Sequence, residues 1–183
     1  MKLNIFAAIA LATALSAITL NVSAQVMVGG AAMFASKDII DNAVNSKDHT
    51  TLVAAVKAAG LVETLKGPGP FTVFAPTNAA FAALPAGTVD NLLKPENKPT
   101  LTKVLTYHVV AGKLDGAALS KAVMAGSGKA TLKTVSGGTL TATAQGSDLV
   151  VTDESGGTAR VTIVDVMQSN GVIHVVDKVL LPK

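Results

Sequence analysis

Residues 129–179, KATLKTVSGGTLTATAQGSDLVVTDESGGTARVTIVDVMQSNGVIHVVDKV, decide the fold class of this chain. Five runs within it are rich in Val, Thr and Ile: Thr131–Val135, Leu140–Ala144, Leu149–Thr152, Ala159–Val166 and Val172–Val179. β-Branched side chains of this kind suit a pleated, half-buried surface. The breaks are Ser136-Gly137-Gly138, Gln145-Gly146-Ser147-Asp148, Ser155-Gly156-Gly157 and Gln168-Ser169-Asn170-Gly171. Short Gly-containing breaks between β-rich runs are hairpin signals, so this half predicts an antiparallel meander.

The half before it carries helical punctuation. Ser36, with Asp38 in the first turn, predicts the cap of a helix over Lys37–Asn45. Leu52, Val53 and Val56 share one face of a second helix, Thr50–Ala59, which Gly60 stops. Leu61–Lys66 can add a turn before Gly67-Pro68-Gly69-Pro70 breaks the chain. Phe71–Ala75 reads as one early buried strand joining the later ones. Pro76-Thr77-Asn78 ends it and opens a helix carrying Phe81 and Leu84, and Thr88 caps a short helix over Val89–Lys94. Pro99 opens another, in which Leu101, Val104, Leu105 and His108 fall at i, i+3, i+4 and i+7. His108 therefore ends an apolar stripe that leads into Val109-Val110. Helices first and strands later predict an α+β fold, a helical first half packed on an antiparallel sheet system. Residues 25–35 predict a loose, flexible segment ahead of a domain spanning 36–183.

The front of the chain reads differently again. Lys2 precedes the uncharged stretch Leu3–Leu20, and Val22-Ser23-Ala24 presents small side chains before Gln25. This is the pattern of a secretory signal peptide, residues 1–24, cleaved after Ala24. The alternative is a membrane anchor, for which the stretch is nearly long enough at roughly 20 residues. Its Ala/Thr content and the missing basic cluster beyond it favour cleavage, which predicts a secreted or periplasmic domain without stable membrane insertion. Cleavage leaves 159 of the 183 residues, one domain's worth. The chain has no Cys, so disulfides, thiol catalysis, Cys-based metal sites and a Cys-linked lipid anchor are all excluded.

A formal charge of +3 and a pI near 9.2 invite a nucleic-acid reading. The lysines, however, are spread singly, and one Tyr with no Trp gives little to stack bases on, so no nucleic-acid partner is expected. Gly126-Ser127-Gly128-Lys129 looks like part of a phosphate loop, but Ala130 stands where Ser or Thr is needed and Val123 where Gly is. No G-x-S-x-G elbow is present. Asp153-Glu154 falls in an expected hairpin turn, a solvated place rather than a sheltered acid/base pair. No cofactor, metal ligand set or catalytic residue is expected, and no enzyme.

Three segments remain to be read together: Phe71–Phe81 (FTVFAPTNAAF), Leu105–Leu114 (LTYHVVAGKL) and Asn170–Pro182 (NGVIHVVDKVLLP). In this order and spacing they resemble the two signature blocks and the central Tyr-His block of the fasciclin domain, over about residues 35–183. The resemblance implies an α+β domain with a β-wedge or sandwich flanked by helices, as in secreted or periplasmic single-domain bacterial members. It implies a binding or adhesion module for a cell-surface or matrix protein or polysaccharide. An alternative it also implies is a carrier of an apolar small molecule such as a carotenoid or lipid. Ala80 departs from the Glu that would complete a capping box on Thr77. Tyr107 and His108 are the candidate binding residues it implies, through the tie of the Tyr-His block to receptor contact. Phe74, Pro76, Thr77, Asn78, Phe81, His108, His174 and Asp177 are expected to be structural. His108 and His174 could each serve as pH switch, metal ligand or ligand contact. The expectation here is a neutral core histidine whose ring is fully hydrogen-bonded. Thr77 and Asn78 read as strand-to-helix capping. Asp177 either accepts a buried hydrogen bond or faces solvent, and His49 sits in a polar loop.

Overall fold

The computed structural model describes residues 25–183; the export signal expected at residues 1–24 lies outside the described residues. The chain opens with a hairpin, β1 (Val26–Val28) and β2 (Ala31–Met33). Residues 25–35 are therefore not a loose leader. Gly29 and Gly30, at φ of 58° and 75°, make the two-residue turn, and Val28 and Met33 enter the core at 3% and 4% exposure. Positive φ at both turn residues matches the twist of a tight hairpin, and glycine takes it without strain. The hairpin signal was present in the Gly-Gly pair between two short apolar runs.

Helices follow: α1 (Ile39–Ala43), α2 (Thr50–Ala59) and α3 (Val62–Lys66). The cap of α1 is Asp38, which accepts from the Asp41 N–H at 2.8 Å, rather than Ser36. Gly60 ends α2 in the left-handed conformation at φ 74°. Next come β3 (Phe71–Pro76), α4 (Asn78–Ala82), α5 (Thr88–Leu92), α6 (Lys98–Tyr107) and β4 (Val109–Ala111). A helix the sequence reading passed over, α7 (Gly116–Ala125), is capped by Asp115 and buries Leu119 and Val123. The meander completes the chain: β5 (Lys129–Lys133), β6 (Thr139–Gln145), β7 (Asp148–Thr152), β8 (Thr158–Gln168) and β9 (Gly171–Val176).

Seven strands form one sheet in the order β4-β3-β9-β8-β7-β6-β5. The meander is antiparallel as expected, but β3 lies parallel to β9, with Phe74 opposite His174. The sheet is thus mostly rather than wholly antiparallel. β8 is the corner. Thr158, Ala159 and Arg160 pair with β7, whereas Val161 to Gln168 pair with β9, with register shifts on both sides of Ile163. Asp165 sits there at φ 60°. Bulges of this kind increase twist and bend a strand. The bend brings the two ends of the sheet together, where the Val135 N–H donates to the Val109 carbonyl at 2.8 Å.

Two apolar layers result. Val73 and Ala75 of β3 and Ile173 and Val175 of β9 face the helices α1–α4 and α6. The alternate residues Phe74 and Val176 face inward, to Leu140, Val151 and the α7 side chain Leu119. Each such fully buried Leu or Phe contributes about 1.5–3 kcal/mol, which is how a chain without disulfides holds its shape.

Candidate functional site

Tyr107 and His108, at the α6–β4 junction, lie at the meeting point of the two layers. Tyr107 is fully buried. Its hydroxyl donates to the Thr139 carbonyl at 2.6 Å and accepts from the Glu154 N–H at 3.0 Å. Two surface turns, 134–138 and 153–157, are thereby pinned to one ring. A Cβ added to Gly138 would stand 2.7 Å from Tyr107 Cε2, so only glycine lets that turn approach. Burial raises the phenol's pKa.

His108 is 2% exposed and both ring nitrogens are committed. Nδ1 lies 2.8 Å from the Val104 carbonyl, and Nε2 accepts from the Leu180 N–H at 2.9 Å. A carbonyl demands a proton on Nδ1 and an N–H demands a lone pair on Nε2, so the ring is the neutral Nδ1–H tautomer. Burial pulls its pKa down to about 4, against smaller opposing effects of the Val104 carbonyl and the Asp153 charge. Asp153 holds the same tail: Oδ2 accepts from Leu181, while Oδ1 accepts from Ser155 and Gly157. At 8% exposure Asp153 is not the solvated turn residue its neighbours suggested.

His174 faces inward from β9 and stacks on Phe74 with ring centroids 5.6 Å apart. Its Nε2 meets the Leu114 carbonyl at 2.7 Å, and the Asp165 N–H points at Nδ1 from 3.4 Å. The Leu114 N–H in turn donates to Thr72 Oγ1 at 2.8 Å. Side chains of β3 and β9 thus grip both ends of the residue that introduces α7. Burial is the main cause that lowers the His174 pKa. Both rings are buried, and each ring nitrogen faces a backbone group.

The remaining motif residues make local contacts. Thr77 caps α4 by accepting from Ala80 at 3.3 Å, and Phe81 is buried. Asn78 reaches away from its own helix. Its Oδ1 accepts from the Thr51 N–H at 3.0 Å and its Nδ2 donates to the Lys47 carbonyl at 2.8 Å, so it caps α2. Pro76 is buried at the end of β3, opposite Val176. Asp177 is exposed and accepts from the Arg160 N–H at 2.8 Å, closing the end of the β8–β9 ladder. His49, expected in a polar loop, is 3% exposed beneath the hairpin. No local sequence signal marks it, because the cavity wall it shares includes Val28, Met33, Ala75 and Ile173 from distant strands.

The three signature segments thus fall on β3, on the α6–β4 junction and on β9 with its tail, and β4, β3 and β9 are neighbours in the sheet. The model of the fasciclin domain matches residues 47–182. This chain belongs to the fasciclin domain family. It is 48% identical over 156 residues to protein sll1483 of Synechocystis sp., covering 85% of this chain and 79% of that relative. It is 35% identical over 159 residues to the cell surface glycolipoprotein MPB83 of Mycobacterium bovis, covering 84% and 64%. A solved FAS1 domain pair from the insect cell adhesion molecule fasciclin I aligns with a TM-score of 0.71 over 79% of this chain and 51% of that one. At 18% identity, that likeness is one of fold. Among the described residues no helix is long and apolar enough to cross a membrane.

Proposed function

We propose that this fasciclin domain is a contact module working at or beyond the cell envelope, binding a surface or matrix partner without chemistry. The observation that carries the reading is its kinship, over 84% of its length, with a protein named as a cell surface glycolipoprotein. The domain geometry supports a particular division of labour. Tyr107 and His108 are too buried to meet a partner directly. Their role is positional: Tyr107 fixes the turns 134–138 and 153–157, and His108 fixes the tail at Leu180. Val135 and Leu181, 47% and 37% exposed, lie on these pinned segments and supply apolar contact area. Neither His108 nitrogen is free to exchange a proton with a substrate, which supports contact over catalysis.

A carrier of a large apolar molecule ranks second. The cavity under the hairpin has a volume of about 60 Å³, against roughly 300–1,000 Å³ for a drug-sized ligand. A carotenoid would have to part the core. The test is binding of the purified protein to envelope and matrix fractions of its source, comparing wild type with Val135→Lys and Leu181→Lys. Saturable binding that both charged variants weaken supports the module. Binding untouched by either variant, or an activity lost with His108, rejects it.

A further inference from the structure

The bulge in β8 faces a buried histidine. Ile163 pairs with Val175 and Val166 with Ile173, so Val164 and Asp165 together stand opposite His174. Asp165 is at φ 60°, a left-handed conformation that crowds Cβ against the following carbonyl. Two contacts hold it there. Its N–H points at His174 Nδ1 from 3.4 Å, and its carboxylate accepts from the Gly116 N–H at the start of α7.

The Leu114 carbonyl, 2.7 Å from His174 Nε2, fixes the ring proton on that nitrogen, so Nδ1 offers its lone pair to the Asp165 N–H. A second proton, on Nδ1, would set two N–H groups against each other. The ring has no room to turn aside, being fully buried, stacked on Phe74 and tied to Leu114. Asp165 as a whole is pinned to Gly116 through its side chain. The movable part is the peptide between Val164 and Asp165. In a trans peptide the C=O points opposite to the N–H, so half a turn of that plane brings the Val164 carbonyl to Nδ1–H. The same turn carries Asp165 from φ 60° to about −120°, in the extended region. One motion makes a hydrogen bond and relieves the backbone.

We propose that β8 contains an acid-driven switch, in which protonation of His174 turns over the peptide between Val164 and Asp165. The charged groups acting on the ring are Asp165 of β8 and Asp115 at the head of α7, and both favour the added proton. β3 presents the Phe74 ring to it, and its neighbours on β9, Ile173 and Val175, are apolar. Burial opposes the charge and sets the switch below the ordinary histidine range. Turning the peptide replaces a carbonyl beside half-exposed Val164 by the Asp165 N–H, so this part of β8 changes from acceptor to donor. At His108 the facing donor is the Leu180 N–H, whose backbone is not left-handed, and no such turn is favoured. The switch uses none of the residues proposed above for surface contact.

The test follows imidazole and amide resonances by NMR in the full protein, from pH 7.5 down to about pH 4. At the start His174 should carry its proton on Nε2. On acidification the ring should titrate below the ordinary histidine value while the fold persists, and the Asp165 amide should shift with the same midpoint. The coupling between the amide and α protons of Asp165 should rise over the same range, as φ passes from left-handed to extended. Two uncharged variants isolate the backbone effect. Ala is crowded at φ 60° and Gly is not, so the His174 midpoint in Asp165→Ala should lie about one pH unit above that in Asp165→Gly. An Nδ1–H tautomer at pH 7.5, a ring that never titrates before unfolding, an Asp165 coupling that stays fixed through the titration, or equal midpoints in the two variants overturns the proposal. The first three readings are made on the wild-type protein, so a variant that fails to fold leaves the test intact.

Discussion

Protonating His108 must break the hydrogen bond that holds the tail, because a second ring N–H would then face the Leu180 N–H. The ring's pKa falls from 6.5 to about 4 on folding. Since the native pKa is the lower one, the unfolded chain takes up the proton first as pH drops. Native stability is therefore complete above pH 6.5 and is lost progressively down to about pH 4, below which both states are protonated. At 1.36 kcal/mol per unit, the whole shift corresponds to about 3 kcal/mol, most of which has been lost by pH 4.5. His49 and His174, whose pKa values are also lowered, and the lowered carboxylates Asp41 and Glu154 act in the same direction. Their effects cancel in a comparison with His108→Gln. Urea unfolding of both proteins at pH 7.5 and pH 4.5 should show the wild type losing about 2–3 kcal/mol more than the variant. Equal losses within about 0.5 kcal/mol, or a His108 NMR titration midpoint near the ordinary value, would refute a buried neutral ring gripping the tail.

Replacing His174 by Ala removes the hold on the Leu114 carbonyl and the stack on Phe74, and should destabilise by about 1–3 kcal/mol in thermal or urea unfolding. Amide exchange should quicken at the start of α7 in that variant, and unchanged melting would contradict the core role. Asn78→Ala removes the cap from α2 rather than from α4. It should cost about 1 kcal/mol, with faster amide exchange at Thr51 and none of that effect at Ala80.

Much of this fold was legible along the chain because its signals are local. The alternation of Val/Thr runs with Gly-rich breaks, Gly60 after α2, and Thr77 before α4 each act within a few residues, and each appears where the sequence puts it. The same local logic would have found β1–β2 from Gly29-Gly30 and α7 from Asp115 followed by Leu119 and Val123. The cap of α1 shifted from Ser36 to Asp38 because the Ser169 N–H binds the Lys37 carbonyl and Asn170 binds the Ile39 N–H, contacts from the far end of the chain. Asp153 appeared solvated for the same reason: one of its partners, Leu181, is 28 residues away.

By itself the sequence determined the α+β class, the meander, the family blocks and the placing of His108 and His174 on inward faces. Those depend on period and composition, which a chain carries wherever it folds. The tertiary structure alone decided the parallel pairing of β3 with β9, the bend in β8 and the burial of His49. It alone also set the proton position on each imidazole. A ring's tautomer is chosen by its hydrogen-bond partners, and here those partners, Leu180 for His108 and Leu114 for His174, lie 72 and 60 residues away. Only folding brings them within reach, and so only folding turned two motif histidines into latches.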